Sequence, residues 1–107
     1  MKIKVLKQDP ITGYNEYATL HSRYVQQSLS LNQTYTFSHT GVGEGMTILY
    51  TGSVSITNIT VDGTVILNQT VPITSNPAYI ALEWSSSMSV TVQATAASNL
   101  FVLFMGT

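Results

Sequence analysis

Apolar and polar residues alternate along most of this chain with a period of two. Thr34-Tyr35-Thr36-Phe37-Ser38 alternates clearly, and Ser53-Val54-Ser55-Ile56-Thr57-Asn58-Ile59-Thr60-Val61 is a further stretch of this kind. Successive side chains of an extended strand point to opposite faces, so this rhythm predicts strands with one buried face. Ile3 and Val5 alternate with Lys2, Lys4 and Lys7 in a short first strand. Tyr14 to Leu20, Tyr24 to Leu31, Met46 to Thr51, Thr64 to Leu67, Ala78 to Trp84 and Met88 to Ala96 complete the series. Residues 16–27 also fit a short helix, and the pattern leaves both readings open there.

The punctuation agrees. Asp62-Gly63 lies between two β-branched runs, the strongest short-range signal for a type I′ hairpin, which needs positive φ at both central positions. Asp9-Pro10-Ile11-Thr12-Gly13 and Ser75-Asn76-Pro77 read as turns. About eight short strands at this spacing predict an all-β fold, an antiparallel β-sandwich or jelly roll. Leu31-Asn32-Gln33-Thr34 recurs as Leu67-Asn68-Gln69-Thr70, and two further segments match at the same offset. That is either a duplication into two related sheet halves or a chance alignment of Thr/Val sequence.

Leu100-Phe101-Val102-Leu103-Phe104-Met105 breaks the rhythm, being apolar on both faces. A strand of this kind is central and covered twice, or packs its outer face on another copy. A terminal strand of a small sandwich is seldom covered twice by its own chain. Phe101, Leu103 and Phe104 are therefore candidate subunit-interface residues.

Charge adds a polarity. The chain has 107 residues, one domain's worth, and only 8% are charged, against about 25% in ordinary globular domains. Its four cations, Lys2, Lys4, Lys7 and Arg23, all fall in the first 23 residues, while Tyr24 to Thr107 carries only Glu44, Asp62 and Glu83. This divides the chain into a basic N-terminal arm or first strand, residues 1–23, and a sandwich body, residues 24–107. Charge normally keeps a free monomer soluble and its sheet edges unpaired. A body without it predicts a surface used in assembly, with the four cations as candidate contacts to a partner. A net charge of −1 argues against a nucleic-acid ligand. The N-terminus lacks the apolar stretch of a signal peptide and no segment has the length of a membrane span, so manufacture in a host cytoplasm and no membrane partner are expected.

Candidate chemistry is sparse. The absence of cysteine excludes disulfides and thiolate metal sites. Gly41-Val42-Gly43-Glu44-Gly45 lacks the lysine and following helix of a phosphate cradle. It reads as a flexible hairpin or loop between strands, with Glu44 at a contact surface or a weak cation site. His21 and His39 have no metal-ligand spacing. Glu44 and Glu83 would face each other as a glycosidase pair only by coincidence of fold. Trp84 is the sole tryptophan; alternation with Ile80 and Leu82 favours burial, and an exposed ring would instead offer a ligand face for sugars. Three Asn-X-Thr triplets, at Asn32, Asn58 and Asn68, fit the N-glycosylation pattern, but about one or two arise by chance in so Thr-rich a chain, and without a signal peptide they carry little weight. No enzyme and no cofactor is expected.

In its size, its lack of cysteine, its Ser/Thr/Asn-rich strand rhythm and its start at methionine, the chain resembles the minor structural proteins of tailed bacteriophages. These are the capsid decoration (cement) proteins, head-fibre bases and tail accessory proteins. The resemblance rests on composition and rhythm over the whole chain. It implies a virion location, homo-oligomerisation, often as a trimer, and an N-terminal segment that contacts the major capsid protein or another virion protein. The competing expectation is a carbohydrate- or receptor-binding β-module of a fibre or adhesin.

Overall fold

The computed structural model describes residues 3–8 and 15–107, with side chains from residue 20 onward. Among the described residues there are ten strands and no helix. They are β1 (Ile3–Gln8), β2 (Asn15–Leu29), β3 (Thr34–Thr40), β4 (Gly43–Thr51), β5 (Val54–Val61), β6 (Thr64–Leu67), β7 (Val71–Pro72), β8 (Ala78–Trp84), β9 (Ser87–Ala94) and β10 (Ser98–Gly106). They form two antiparallel sheets, one in the order β1-β2-β10-β4-β8 and one in the order β3-β9-β5-β6, with β7 also on β5.

The pairings nest. β2 pairs β10, β3 pairs β9, β4 pairs β8 and β5 pairs β6. The chain is thus one long hairpin, folded at Asp62-Gly63 and rolled so that successive pairs fall in alternate sheets. That is the eight-strand jelly roll, with β1 and β7 as additions. The tip of the roll has the predicted backbone, with φ of 51° at Asp62 and 81° at Gly63.

Alternation explains the core. β9 has every second side chain buried, with Met88, Val90, Val92 and Ala94 turned inward. From the opposite sheet Met46, Ile48, Leu100, Val102 and Phe104 meet Phe37, Ile56 and Ile59 in a single cluster. Full burial of each such side chain contributes about 1.5–3 kcal/mol.

Two expectations change. Residues 16–27 are strand, inside a fifteen-residue β2 that fuses two predicted strands. The glycine-rich segment does not join a hairpin, since β3 and β4 belong to different sheets. It turns the corner between them at Gly41 and continues as strand from Gly43. One pair of the matched segments takes unlike positions: Val65 to Leu67 lies in the edge strand β6, whereas Phe101 to Leu103 lies in the central strand β10.

β2 serves two partners along its length. Residues 21–29 pair β10, up to the pair His21↔Gly106, and residues 15–20 pair β1. The β1–β2 ribbon therefore continues past the last rung shared with the body.

Candidate functional site

The strand that broke the alternation in sequence alternates in space. In β10, Leu100, Val102 and Phe104 are buried, while Phe101, Leu103 and Met105 face outward and stay partly exposed. This corrects one expected contact residue: Phe104 is turned into the core, against Trp84 and His39 with ring centroids 5.7 and 5.5 Å away, and offers nothing to a second copy. Phe101 and Leu103 do lie on the outer face.

Register assembles their surroundings. Leu103 stands opposite Tyr24 on β2 and Thr47 on β4, and Phe101 stands opposite Leu49 on β4. Tyr24, 68% exposed, stacks on Phe101 with ring centroids 5.6 Å apart and planes at 20°. Thr47 is in turn opposite Tyr79 on β8, which is 71% exposed. The middle of this sheet thus presents an outward band of Tyr24, Phe101, Leu103, Leu49 and Tyr79, with no charge inside it.

At one end of the band the face is hollowed. Gly45, at φ +66°, is the unpaired residue of a bulge: Glu44 pairs Met105 and Met46 pairs Phe104. A single residue added to one strand bends it and re-aims its neighbours. The hollow has a volume of about 460 Å³ and is lined by Ser22, Glu44, Thr47, Tyr79, Glu83 and Leu103, among others. Glu44 and Glu83 are direct partners across the β4–β8 pair. Like charges directly opposite on adjacent strands repel, and among the described residues none that lines the hollow is basic.

Trp84 is 3% exposed and presents no ring to a ligand. It donates its indole N–H to Nδ1 of His39 at 3.0 Å, and Nε2 of His39 lies 3.1 Å from the Thr107 main-chain oxygen. Both of those imidazole nitrogens are engaged, which gives His39 a structural place at the end of the sandwich. Arg23 is exposed, but its Nη2 donates to the Thr107 main-chain oxygen at 2.9 Å, so it fastens β2 to the end of β10. Lys2 lies outside the described residues, as do the side chains of Lys4 and Lys7.

Asp62 is occupied at the tip of the roll. Its carboxylate accepts backbone N–H bonds from Ser85, Ser86 and Ser87, at 3.0, 2.7 and 3.1 Å, and hydroxyls from Ser85 and Ser86. These donors, Ser86 first, hold the carboxyl far below the usual carboxylate range. The bonds tie the β5–β6 turn to the β8–β9 turn.

Among the described residues no three His, Asp or Glu side chains approach a metal-binding arrangement. The paired carboxylates sit side by side on one open face, with Glu83 exposed. In comparison with known proteins, no protein-family model and no curated protein matches the chain.

The apolar outer face of β10 was readable from the unbroken run Leu100 to Met105. Tyr24, Leu49 and Tyr79 were missed, because only the order β2-β10-β4-β8 brings them beside it.

Proposed function

We propose that this chain is a non-enzymatic structural unit of a virion, a capsid decoration or cement protein that works through protein–protein contact and assembles with copies of itself. The observation that carries the reading is the outer face of the β2-β10-β4-β8 sheet, where Tyr24, Phe101, Leu103, Leu49 and Tyr79 form an uncharged band open to solvent. Exposed apolar bands rimmed by polar residues are a mark of contact surfaces. The rolled hairpin supports the reading, since jelly rolls serve in capsids as well as in lectins. Fold alone does not assign function; the charge-poor body and the phage-like composition tilt the choice toward assembly. On a shell, many modest contacts per particle add through multivalency.

Sugar binding through Trp84 is disfavoured by its burial beneath His39 and Phe104.

The test is co-migration. Tagged chain is produced in infected cells and virions are banded on a density gradient. The reading expects the tag in the particle band at a fixed ratio to the major capsid protein. Tag only at the top of the gradient, with particles of full yield, contradicts it.

A further inference from the structure

We propose that His39 is a pH-operated latch at the end of the sandwich: the neutral ring holds Trp84 and Thr107 together, and the protonated ring releases Trp84. The switch belongs to the fold itself and does not depend on what the outer face of the β2-β10-β4-β8 sheet binds.

The neutral ring fits its place in one tautomer. Nδ1 accepts the Trp84 indole N–H at 3.0 Å, so the single ring proton sits on Nε2, which donates to the Thr107 main-chain oxygen at 3.1 Å. A cationic imidazole is a donor at both nitrogens. Its added proton lands on Nδ1, opposite the indole proton, and the hydrogen bond there has lost its acceptor. Trp84 is 3% exposed, so a released indole N–H finds a new partner only when the end of the sandwich opens to water.

The ring has little room to slide away from the conflict. A methyl group placed on Gly106 would fall within the contact distance of His39, and Phe104 and Trp84 both meet the ring edge-on, with centroids 5.5 and 5.8 Å away. The Thr107 oxygen that takes the Nε2 proton also takes an Arg23 N–H at 2.9 Å, so a charged ring meets a second cation at the same acceptor. Thr107 is itself fastened to the corner before β4. Its N–H donates to the Val42 oxygen at 2.9 Å, and its hydroxyl accepts the Val42 N–H at 3.3 Å. The bond to Trp84 is therefore the one that protonation breaks.

Among the described side chains, the charged and titratable groups around this end are few. Arg23 and His21 lie on β2, with His21 opposite Gly106. Asp62 binds the turn of Ser85 to Ser87, and the Ser86 oxygen accepts the Gly41 N–H at 2.7 Å. Its donors hold the Asp62 carboxyl far below the usual carboxylate range, so its charge is constant while a histidine titrates. Glu44 and Glu83 adjoin Gly43 and Trp84 but line the hollow on the outer face. β9 and β10 contribute no titratable side chain. Histidine is the side chain whose ordinary titration falls between about pH 5 and pH 8, and the chain has two.

Gly43↔Trp84 is the end rung of the β4–β8 pair and the neighbour of Glu44↔Glu83. Releasing the indole thus loosens that end of the sheet, beside the hollow.

Nuclear magnetic resonance on the intact chain, from about pH 8 to about pH 5, tests this across the histidine range. The ring resonances of both histidines and the Trp84 indole N–H are followed together. The indole resonance should move with the His39 midpoint, and its exchange with solvent should speed by at least roughly tenfold below that midpoint, as expected for local opening. His39→Asn sets an amide oxygen near the place of Nδ1 that takes up no proton, and should keep the indole resonance constant over the same range. His21→Asn should leave the transition in place. An indole N–H that stays constant while His39 titrates overturns the proposal. So does a His39 ring that remains neutral to pH 5, a transition that persists in His39→Asn, or one that disappears with His21→Asn. The ring and indole curves of the wild type decide the matter even where a variant fails to fold.

Discussion

Trp84 donates its indole N–H to His39 across 45 residues of sequence, joining the last residue of β8 to the end of β3 in the opposite sheet. The bond fixes the imidazole: Nδ1 accepts, so Nε2 carries the proton and donates to the Thr107 main-chain oxygen. One histidine thereby closes the end of the roll from three directions. Replacing it by leucine leaves the indole N–H unsatisfied at a site 3% exposed. Such a loss costs about 1–3 kcal/mol, and urea denaturation of His39→Leu against wild type should show a drop of that size.

Gly43 lies under the same indole. A methyl group added there would fall inside the van der Waals envelope of the Trp84 ring. Overpacking of a closed core costs typically 1–3 kcal/mol. Gly43→Ala should lower the unfolding free energy from urea denaturation by a comparable amount, whereas Gly63→Ala, which meets no atom, is strained only through its φ of +81°.

The Asp62 carboxylate predicts an acid dependence. Its pKa is depressed in the folded chain by the N–H groups of Ser86, Ser87 and Ser85, in that order. A depressed folded value gives stability that is complete above the ordinary carboxylate pKa, about 4, and is lost progressively as pH falls below it. Asp62→Asn tolerates the positive φ but lacks the charge. The gap in urea midpoint between wild type and Asp62→Asn should be constant from pH 7 to pH 5 and narrow below pH 4. A gap that widens in acid would contradict the assignment.

Trp84 also reports on the sugar reading. Emission should be blue-shifted relative to the indole in water, be quenched poorly by iodide, and stay unchanged by any mono- or oligosaccharide. A red-shifted band that moves with sugar would place the ring at a ligand face.

Much of this was legible in the residues. Strict alternation marked β3 and β9, because each has one face turned to the core and the other toward solvent. Asp62-Gly63 marked the tip of the roll, because positive φ at two successive positions leaves few choices of residue. Other features depended on long-range register. Polar His21, Ser22 and Arg23 interrupt the alternation of β2 at the end of the sandwich, where both faces meet solvent, so one strand looked like two. Leu100 to Met105 showed two apolar faces, which fits a doubly covered strand or an outer contact face, and its outer side chains Phe101 and Leu103 are partly open. Glu44 and Glu83 are 39 positions apart, and only the β4–β8 pairing makes them neighbours.

The central claim is that the outer band around Leu103 is a contact surface. Copies per virion, counted by quantitative mass spectrometry, test it for wild type, Leu103→Asp and Val65→Asp. Leu103 is 38% exposed on the band, and Val65, 55% exposed on β6 of the other sheet, is the control. Near-ultraviolet dichroism checks that both variants are folded. The account predicts wild-type occupancy for Val65→Asp and at least a roughly tenfold loss for Leu103→Asp, as expected when a charge is buried without a partner at an interface. Equal occupancy for all three would contradict it.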